Sequence, residues 1–254
     1  MTDDGPLYVY GVMAAGDERS LPRDGVAGSG VAAVEHAGLA ALTSGVRGNA
    51  LKAATALRAH WAVLQEISER ATVLPVRFGT VVENEAVLRE QLLEPNAERL
   101  RAALEQLAGC VQMTVKGSYD EDALLRQVVS GSRPIASLRE RVKRLPGAGA
   151  YYERIRLGQL VSEEVARWRE ADTRVALDTL APHALDAHVE QESGASAAFS
   201  LSFLVRRDNE PEFGRHVGRL AREMSDRLEI RYAGPMPPYS FADVDLESGV
   251  GAWA

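Results

Sequence analysis

The sequence of 254 residues predicts an α+β protein built from two domains. Strand-like runs and amphipathic helices are mixed along it without the regular alternation of a parallel α/β sheet. Apolar residues make up 46% of the chain and charged residues 26%, as in ordinary globular proteins. This length suits one large domain or two smaller ones. We place the boundary near Ala108, where Gly109 separates a predicted helix from a predicted strand.

The first half of the chain is predicted to mix short strands with one strongly amphipathic helix. Strands are expected at residues 7–12 and 72–79, with a short hairpin formed by residues 31–35 and 39–44. Pro75 lacks an N–H donor, which places its strand at a sheet edge or a bulge. Asn49 is the predicted N-cap of the helix that lies between the hairpin and the strand at 72–79. Its apolar stripe recurs every three or four residues, at Leu57, Trp61, Leu64, Ile67 and Ala71.

Helices then alternate irregularly with strands. Helices are predicted at 84–93, 95–108, after the cap Asp120, at 135–144, from Tyr151 to about Thr173, and at 210–228. Strands are predicted at 110–116, 197–205 and 229–233. In the long helix, the expected core stripe is Leu157, Val161, Val165 and Trp168. The Pro-rich segment 234–241 is expected to continue neither as a helix nor as a central strand.

Composition and charge exclude several classes of protein. A formal charge of −7 and a pI near 5.4 argue against a generic nucleic-acid binder. Cys110 is the single cysteine, so a disulfide framework or a Cys-rich metal site is excluded, and a buried structural thiol is favoured. The N-terminal residues are not expected to form a signal peptide, and no run of 18 apolar residues occurs. A cytoplasmic protein without a membrane span is therefore predicted.

Arginine dominates the basic residues. Among the 29 basic residues, only Lys52, Lys116 and Lys143 are lysines. Arginine makes planar, bidentate contacts that suit interfaces, but a GC-rich genome would produce the same bias. Arg206 and Arg207 end the predicted strand at 197–205 and could contact an acidic partner or simply lie in solvent.

The residues do not indicate a catalytic, cofactor-binding or metal site. The five histidines form no H-x-x-x-H pair, and His183 and His188 would project about 140° apart on one helix. His60 is expected to be a packed or surface histidine rather than a ligand. A G-x-S-x-G elbow and the phosphate-binding glycine motifs are missing. The segment from Val76 to Gly79 is only faintly similar to an RNA-binding strand, and it lacks the further stacking aromatics.

Three segments together resemble the gas vesicle protein GvpF/GvpL family. They are LYVYGV at residues 7–12, HWAVLQEISERATVLPVRFGTV at 60–81, and GPMPPYSF at 234–241. The middle segment is the most specific, and the likeness extends over almost the whole chain. Met236 departs from the family pattern, in which a large aromatic residue is common between the two prolines. This departure leaves open how the final segment packs.

The resemblance implies a fold, a function and partners. It implies an N-terminal α+β domain at residues 1–108 and a C-terminal domain with a modified ferredoxin-like fold at 109–234. It also implies a non-enzymatic accessory or minor structural role in gas vesicle assembly, without a cofactor. The expected partners are the major hydrophobic shell protein and other accessory proteins, and the expected location is the gas vesicle or the cytoplasm. The Pro-rich tail, 235–254, is expected to pack back on the fold.

Residues within these segments are the candidates for structural or partner contacts. Arg77 and Phe78 are presented at a predicted strand end, where Arg77 could pair with a carboxylate in the fold or on a partner, and the internal pair is favoured. Tyr239 and Phe241 supply apolar area for the tail. Two rival functions remain open: a small-ligand-binding or enzymatic ferredoxin-like protein, marked by a deep polar pocket, and an RNA-binding module, marked by a basic, aromatic sheet face.

Overall fold

The computed structural model describes residues 5–16, 21–46, 53–145, 150–191, 194 and 196–242. Helices and two antiparallel sheets are mixed along the chain, so the predicted α+β class is confirmed. The chain divides into two compact units. Unit 1 comprises Met1–Gln112 and Pro235–Ala254, and unit 2 comprises Met113–Gly234. None of the described helices is both long enough and apolar enough to cross a membrane.

Unit 1 contains a sheet built around a fully buried central strand. Its strands are β1 (Leu7–Ala14), β2 (Ala32–His36), β3 (Leu39–Gly45), β4 (Val73–Pro75) and β5 (Val81–Val82). The order is β2-β3-β1-β4, and β5 also pairs with β1. The predicted hairpin is confirmed, because β2 and β3 pair antiparallel across a turn in which both Ala37 and Gly38 have positive φ.

The strand predicted at 72–79 is shorter than expected, because only β4 (Val73–Pro75) pairs with β1 in this range. The chain then leaves the sheet in a turn, and β5, which lies beyond the predicted strand, pairs with β1 again. Thr80 closes this turn by donating from its hydroxyl to the carbonyl oxygen of Arg77, at 2.8 Å. Pro75 lies in β4 at the sheet edge, as its missing N–H predicts.

The buried face of the main helix of unit 1 agrees only in part with the predicted stripe, of which Leu64 and Ile67 are buried. In α1 (Ala53–Ser68) the buried residues are Ala56, His60, Val63, Leu64, Ile67 and Ser68. Leu57 and Trp61, which were expected in the core stripe, are 40% and 37% exposed. The predicted cap Asn49 lies outside the described residues.

The two helical segments predicted after β5 are confirmed, although the first is irregular. It begins as α2 (Glu85–Val87) and continues as a π-helical turn over Leu88–Leu93, and α3 (Ala97–Gln106) follows. The side chain of Asn84 caps the first segment by accepting a hydrogen bond from the N–H of Val87 at 2.9 Å.

Unit 2 has the strand order of a ferredoxin-like fold. Its sheet contains β6 (Cys110–Tyr119), β7 (Asp186–Val189), β8 (Ala197–Arg206) and β9 (Leu228–Met236), in the order β7-β8-β6-β9. Along the chain the elements run as a β-α-β-β-α-β unit, in which several helices fill the first crossover. The predicted final strand at 229–233 is longer than expected, since β9 includes Pro235. This proline is tolerated because β9 is an edge strand.

Four helices belong to unit 2: α4 (Glu121–Gly131), α5 (Arg133–Arg144), α6 (Tyr151–Leu180) and α7 (Glu210–Glu223). Asp120 caps α4 as predicted, by accepting from the N–H of Ala123 at 2.7 Å. The expected core stripe of α6 (Leu157, Val161, Val165 and Trp168) is only half-buried. The buried residues of α6 are instead Asp172, Ala176 and Leu180, near its C-terminal end.

Candidate functional site

Five aromatic side chains from the three motif segments meet in unit 1. They form the aromatic cluster: Tyr8, Tyr10, His60, Phe78 and Tyr239. The His60 ring centroid lies 5.7 Å from those of Tyr8, Tyr10 and Phe78, and 6.4 Å from that of Tyr239. The first segment, the middle segment and the final segment therefore share one packing centre.

His60 is hydrogen-bonded through both ring nitrogens. Its Nδ1 lies 2.8 Å from the hydroxyl of Tyr8, and its Nε2 lies 2.7 Å from the hydroxyl of Tyr239. The N–H of Gly79 in turn donates to the Tyr8 hydroxyl at 3.3 Å. A neutral imidazole has one donor and one acceptor nitrogen, so either tautomer satisfies both tyrosines. These bonds tie β1 and the final motif segment to α1.

Burial sets the protonation of the cluster. The side chain of His60 has no exposed surface, and burial lowers its pKa to about 4 because the charged imidazolium loses its hydration. Burial raises the pKa of Tyr8 to about 12 and also raises the pKa of Tyr239, for the same reason. At neutral pH the cluster is uncharged, and its hydroxyl groups and imidazole act as hydrogen-bonding groups.

Local sequence positions the two tyrosines of β1. Tyr8 and Tyr10 are two residues apart on one strand, so their side chains point to the same face of the sheet. Gly11 follows at a register shift in the pairing with β3. A Cβ atom on Gly11 would lie 2.7 Å from the carbonyl oxygen of Leu74 and 2.9 Å from Cγ2 of Val73. Only glycine permits this close approach of β4 to β1.

A second hydrogen-bond chain holds Tyr10. Its hydroxyl accepts from the N–H of Val26 at 2.6 Å and pairs with Oγ of Ser44 at 2.8 Å. Ser44 donates its own hydroxyl proton to the carbonyl oxygen of Gly30 at 3.2 Å, so Tyr10 is the donor to Ser44. Burial raises the pKa of Tyr10. This chain fixes the loop before β2 against the cluster.

The final motif segment is fixed at three points within unit 1. The side-chain amide of Gln65 donates to the carbonyl oxygen of Pro235 at 3.0 Å. Gln112 accepts from the N–H of Ser240 at 2.9 Å. Between them, Tyr239 packs on the partly exposed Trp61, with ring centroids 4.7 Å apart. The segment thus covers α1 between His60 and Gln65.

The predicted contact residues of the middle and final segments occupy different environments. Phe78 is half-buried within the aromatic cluster, and Tyr239 and Phe241 are half-buried in the final segment. Arg77 is exposed, and its guanidinium pairs with no carboxylate in the described part of the chain. The internal ion pair that the sequence favoured for Arg77 is therefore not found among those residues. The turn directs Phe78 inward and leaves Arg77 in solvent.

The other two predicted contact residues belong to unit 2. Arg206 and Arg207 are exposed where β8 ends and α7 is about to begin. Arg206 lines an open cavity that Asn209 and Glu212 also line. His183 borders this cavity as well, and its ring stacks on that of His216, with ring centroids 3.5 Å apart.

A buried carboxylate forms the polar centre of unit 2. Asp172 accepts a hydrogen bond from the hydroxyl of Tyr119 at 2.7 Å and pairs with the guanidinium of Arg227. The pKa of Tyr119 is raised, mainly by burial and further by the neighbouring carboxylate. Both oxygens of Asp172 are therefore engaged within unit 2. Trp168 and Asp226 line the open cavity beside it.

This chemistry favours packing over reaction. The side chains of the aromatic cluster are satisfied by one another, and a reactive nucleophile is not among them. Among the described residues, no group of three or more His, Cys, Asp or Glu side chains could hold a metal ion. Cys110 is buried, and its thiol donates to the carbonyl oxygen of Ala108 at 3.6 Å.

Sequence reasoning missed the central residue of the cluster. It included His60, Tyr8 and Tyr10 in the motif segments but did not select them as site residues. The sequence features that could have indicated them are two tyrosines at spacing two in a predicted strand, and a histidine next to the apolar stripe of the predicted helix. A histidine next to Trp61 was expected in the core or on the surface, and periodicity alone did not distinguish the two.

Comparison with known proteins assigns the chain to a family of gas vesicle proteins. The family model described as gas vesicle synthesis protein GvpL/GvpF matches residues 6–243, and the chain belongs to this family. It is 33% identical to gas vesicle protein F of Streptomyces sp. (strain CB03234), over 93% of this chain and 99% of that protein. It is 30% identical to gas vesicle protein L of the same strain, over 97% of this chain and 96% of that protein. The chain thus has a gas-vesicle-associated role.

Solved structures of family members have the same fold. The crystal structure of GvpF from Microcystis aeruginosa matches with a TM-score of 0.80 and 26% identity. That of GvpF from Anabaena sp. PCC7120 matches with a TM-score of 0.77 and 27% identity. Each comparison covers 94% of this chain and 99% of the solved chain. The likeness therefore includes both units.

Proposed function

We propose that the protein is an accessory or minor structural component of gas vesicle assembly. In this proposal it binds the major hydrophobic shell protein and other accessory proteins, works in the cytoplasm or on the vesicle, and catalyses no reaction. Family membership supports the setting, since the family is described as one of gas vesicle synthesis proteins.

The observation that carries the proposal is the convergence of the three motif segments on His60. Residues from β1, α1 and the final segment satisfy one another's hydrogen bonds there, and no reactive group is left open. Motif residues that are buried and satisfied in this way hold the fold around them in place rather than form a reaction centre. The exposed residues beside them, above all Arg77, are then the ones available for contact with a partner.

Arg77 is the contact residue best placed beside this cluster. It follows a buried residue, Val76, precedes the inward-facing Phe78, and projects into solvent without an ion pair in the described part of the chain. Arginine forks onto carboxylates through two parallel hydrogen bonds. We therefore assign Arg77 to a partner contact, with Phe78, Tyr239 and Phe241 supporting the surface around it. Arg206 and Arg207 are proposed as a separate contact in unit 2.

The experiment is co-purification of the tagged protein with the shell protein from the same vesicle gene cluster. Arg77→Glu should reduce recovery of the shell protein while the melting temperature stays unchanged. Arg58→Glu, which changes another exposed arginine of unit 1, is the matched control and should leave recovery unchanged. No recovery by the wild-type protein would exclude the shell contact, and normal vesicles after gene deletion would exclude the assembly role.

The domain organisation is part of the same proposal. We take the two units to be domains, with the segment after Gly234 closing the N-terminal one rather than forming an independent tail. The hydrogen bonds of Gln65 and Gln112 to this segment support that division. Limited proteolysis should then release the residues of unit 2 as one resistant fragment.

A further inference from the structure

The first two thirds of α6 lack the packing that a long helix normally has. From Tyr151 to Ala171, no described side chain of α6 is buried. This stretch is about 30 Å long at 1.5 Å per residue. Helices in proteins owe most of their stability to an apolar face packed against a neighbour. Here the half-buried stripe supplies the packing, and α6 as a whole contacts α4, α5, α7 and β8 of the same unit.

The opposite side of this stretch carries exposed aromatic and aliphatic side chains. Tyr152 is 79% exposed, Tyr151 is 60% exposed and Ile155 is 44% exposed. The two tyrosine rings stand edge to face, with centroids 5.5 Å apart. Gly158 continues the row one turn further, and a Cβ atom built there would meet nothing within 4 Å. The row is therefore open to an approaching partner.

The same part of the chain is strongly basic. Between Arg133 and Arg156 there are seven basic residues and only two acidic ones, although the whole chain carries −7. Both acidic residues are already paired: Glu153 with Arg141 at 3.3 Å and Glu140 with Lys143 at 2.8 Å. The other five basic residues are exposed and have no ion pair within the described ranges. They are Arg133, Arg139, Arg144, Arg154 and Arg156.

We propose that this surface binds an acidic amphipathic helix of a partner protein. We name it the basic hairpin, meaning α5 together with Tyr151–Ser162 of α6. Tyr151 and Ile155 are four residues apart, so they form one row that can receive the apolar side of a helix. Arg154 is three residues from Tyr151 and Arg156 is four residues from Tyr152, so both flank the exposed rings and can fork onto the carboxylates of the partner helix. Arg133, Arg139 and Arg144 on α5 add to the positive field of the same surface. Tyrosine and arginine are also the residue types enriched at the energetic centres of protein interfaces.

Charge favours a protein segment over a longer polyanion. Nucleic acids and anionic membranes are extended, and the overall charge of −7 would repel them at long range. A short acidic helix meets only the local field of the basic hairpin. The inference goes beyond the proposed function, because it follows from exposure and charge in unit 2 and not from the vesicle family.

The test uses the full-length protein and a fluorescein-labelled synthetic peptide of about 20 residues, long enough to be helical. The peptide carries Leu and Ala on one face and Glu on the other. A matched peptide has Lys in place of every Glu. Fluorescence anisotropy should show saturable binding of the Glu peptide, weakened by salt, and binding of the Lys peptide should be weaker by about tenfold or more.

Two variants locate the binding on the basic hairpin. Arg144→Glu/Arg154→Glu should weaken binding of the Glu peptide by about tenfold or more. Tyr151→Ser/Tyr152→Ser should weaken it several-fold while keeping its salt dependence. Arg23→Glu/Arg58→Glu makes the same change of charge on unit 1 and should bind like the wild type. All three should retain the wild-type melting temperature, since these side chains are exposed.

Several results would overturn the inference. They are no binding of the Glu peptide, equal binding of the Lys peptide, and unchanged binding by Arg144→Glu/Arg154→Glu. Tighter binding of a single-stranded RNA or of phosphatidylserine vesicles would reassign the surface to those ligands. Salt-sensitive self-association of the wild type, lost in Arg144→Glu/Arg154→Glu, would assign it to a second copy. The shell-protein co-purification described above is a separate readout, so either proposal can fail while the other stands.

Discussion

The Nε2 atom of His60 lies 2.7 Å from the hydroxyl oxygen of Tyr239, although 179 positions separate the two residues in the chain. The histidine is fully buried and the tyrosine half-buried, so this bond forms where water does not compete freely. It connects the helix of the middle motif segment to the turn of the final one. The final segment is therefore part of the core of unit 1.

Removing the Tyr239 hydroxyl should destabilise the protein. Tyr239→Phe keeps the ring on Trp61 but leaves one nitrogen of His60 without its partner, at a cost of about 1–2 kcal/mol. The free energy of unfolding, measured by urea titration, should fall by that amount. Tyr152→Phe removes a hydroxyl from an exposed ring and should change it by less than about 0.5 kcal/mol. Equal effects of the two substitutions would show that the His60 bond does not stabilise the fold.

His60 should make stability depend on pH below neutrality. Its pKa is about 4 in the folded chain and 6.5 without burial, so between these values the unfolded chain binds more protons. The free energy of unfolding should then fall as the pH drops from 6.5 to 4. At about 1.4 kcal/mol per pKa unit, the loss is on the order of 3 kcal/mol.

The measurement is urea unfolding from pH 7 to pH 4 for the wild type and for His60→Gln. Carboxylates titrate in both proteins, so the difference between the two curves isolates the histidine. That difference should shrink as the pH falls, because the variant lacks the titrating group. Parallel curves would mean that His60 is readily protonated in the folded chain.

Asp172 should stabilise unit 2. Asp172→Asn removes the charge that faces Arg227 and weakens the acceptor for Tyr119, and we expect a loss of about 2 kcal/mol. The loss is limited because the Arg227 side chain is 39% exposed and can be hydrated instead. Thermal unfolding of Asp172→Asn and of the exposed control Asp178→Asn on the same helix gives the comparison. A melting temperature that is the same in both variants would contradict the assignment.

Two glycine substitutions should change stability in opposite directions. Gly11→Ala places a methyl group against the main chain of β4 and should cost about 1–3 kcal/mol. Gly158→Ala lies in open space inside α6 and should raise stability by about 0.5–1 kcal/mol, through helix propensity. Differential scanning calorimetry of both variants tests the pair. Stabilisation by Gly11→Ala would mean that β4 does not approach β1 closely.

Local patterns predicted much of the fold. The β2–β3 hairpin, the cap Asp120 and the alternating strand β8 follow from short-range rules that the chain obeys. The edge strand β7 was missed, because its four residues are mostly exposed and carry no apolar alternation. Its partner β8 supplies the hydrogen bonds that make it a strand, and a window of a few residues does not contain that partner.

The candidate site was only partly predictable, for a related reason. Periodicity placed Leu57 and Trp61 in the core and gave His60 no particular role. The buried face of α1 instead includes His60. Tyr8 and Tyr239 supply hydrogen-bond partners, which lower the free-energy cost of burying the imidazole. These partners lie far away in sequence. The resemblance to the family identified all three segments. The hydrogen bonds and ring contacts that join them form only in the folded chain.

The division of the chain has a consequence for its synthesis. Unit 2 is inserted into unit 1, so the ribosome completes all of unit 2 before Tyr239 emerges. Until then α1 carries a histidine whose second partner has not been made. The core of unit 1 can therefore be completed only after all of unit 2 has been synthesised. A nascent or prematurely terminated chain would therefore expose Trp61 and the polar atoms of His60. Chaperones bind such exposed groups, and proteases cleave chains that remain incompletely folded.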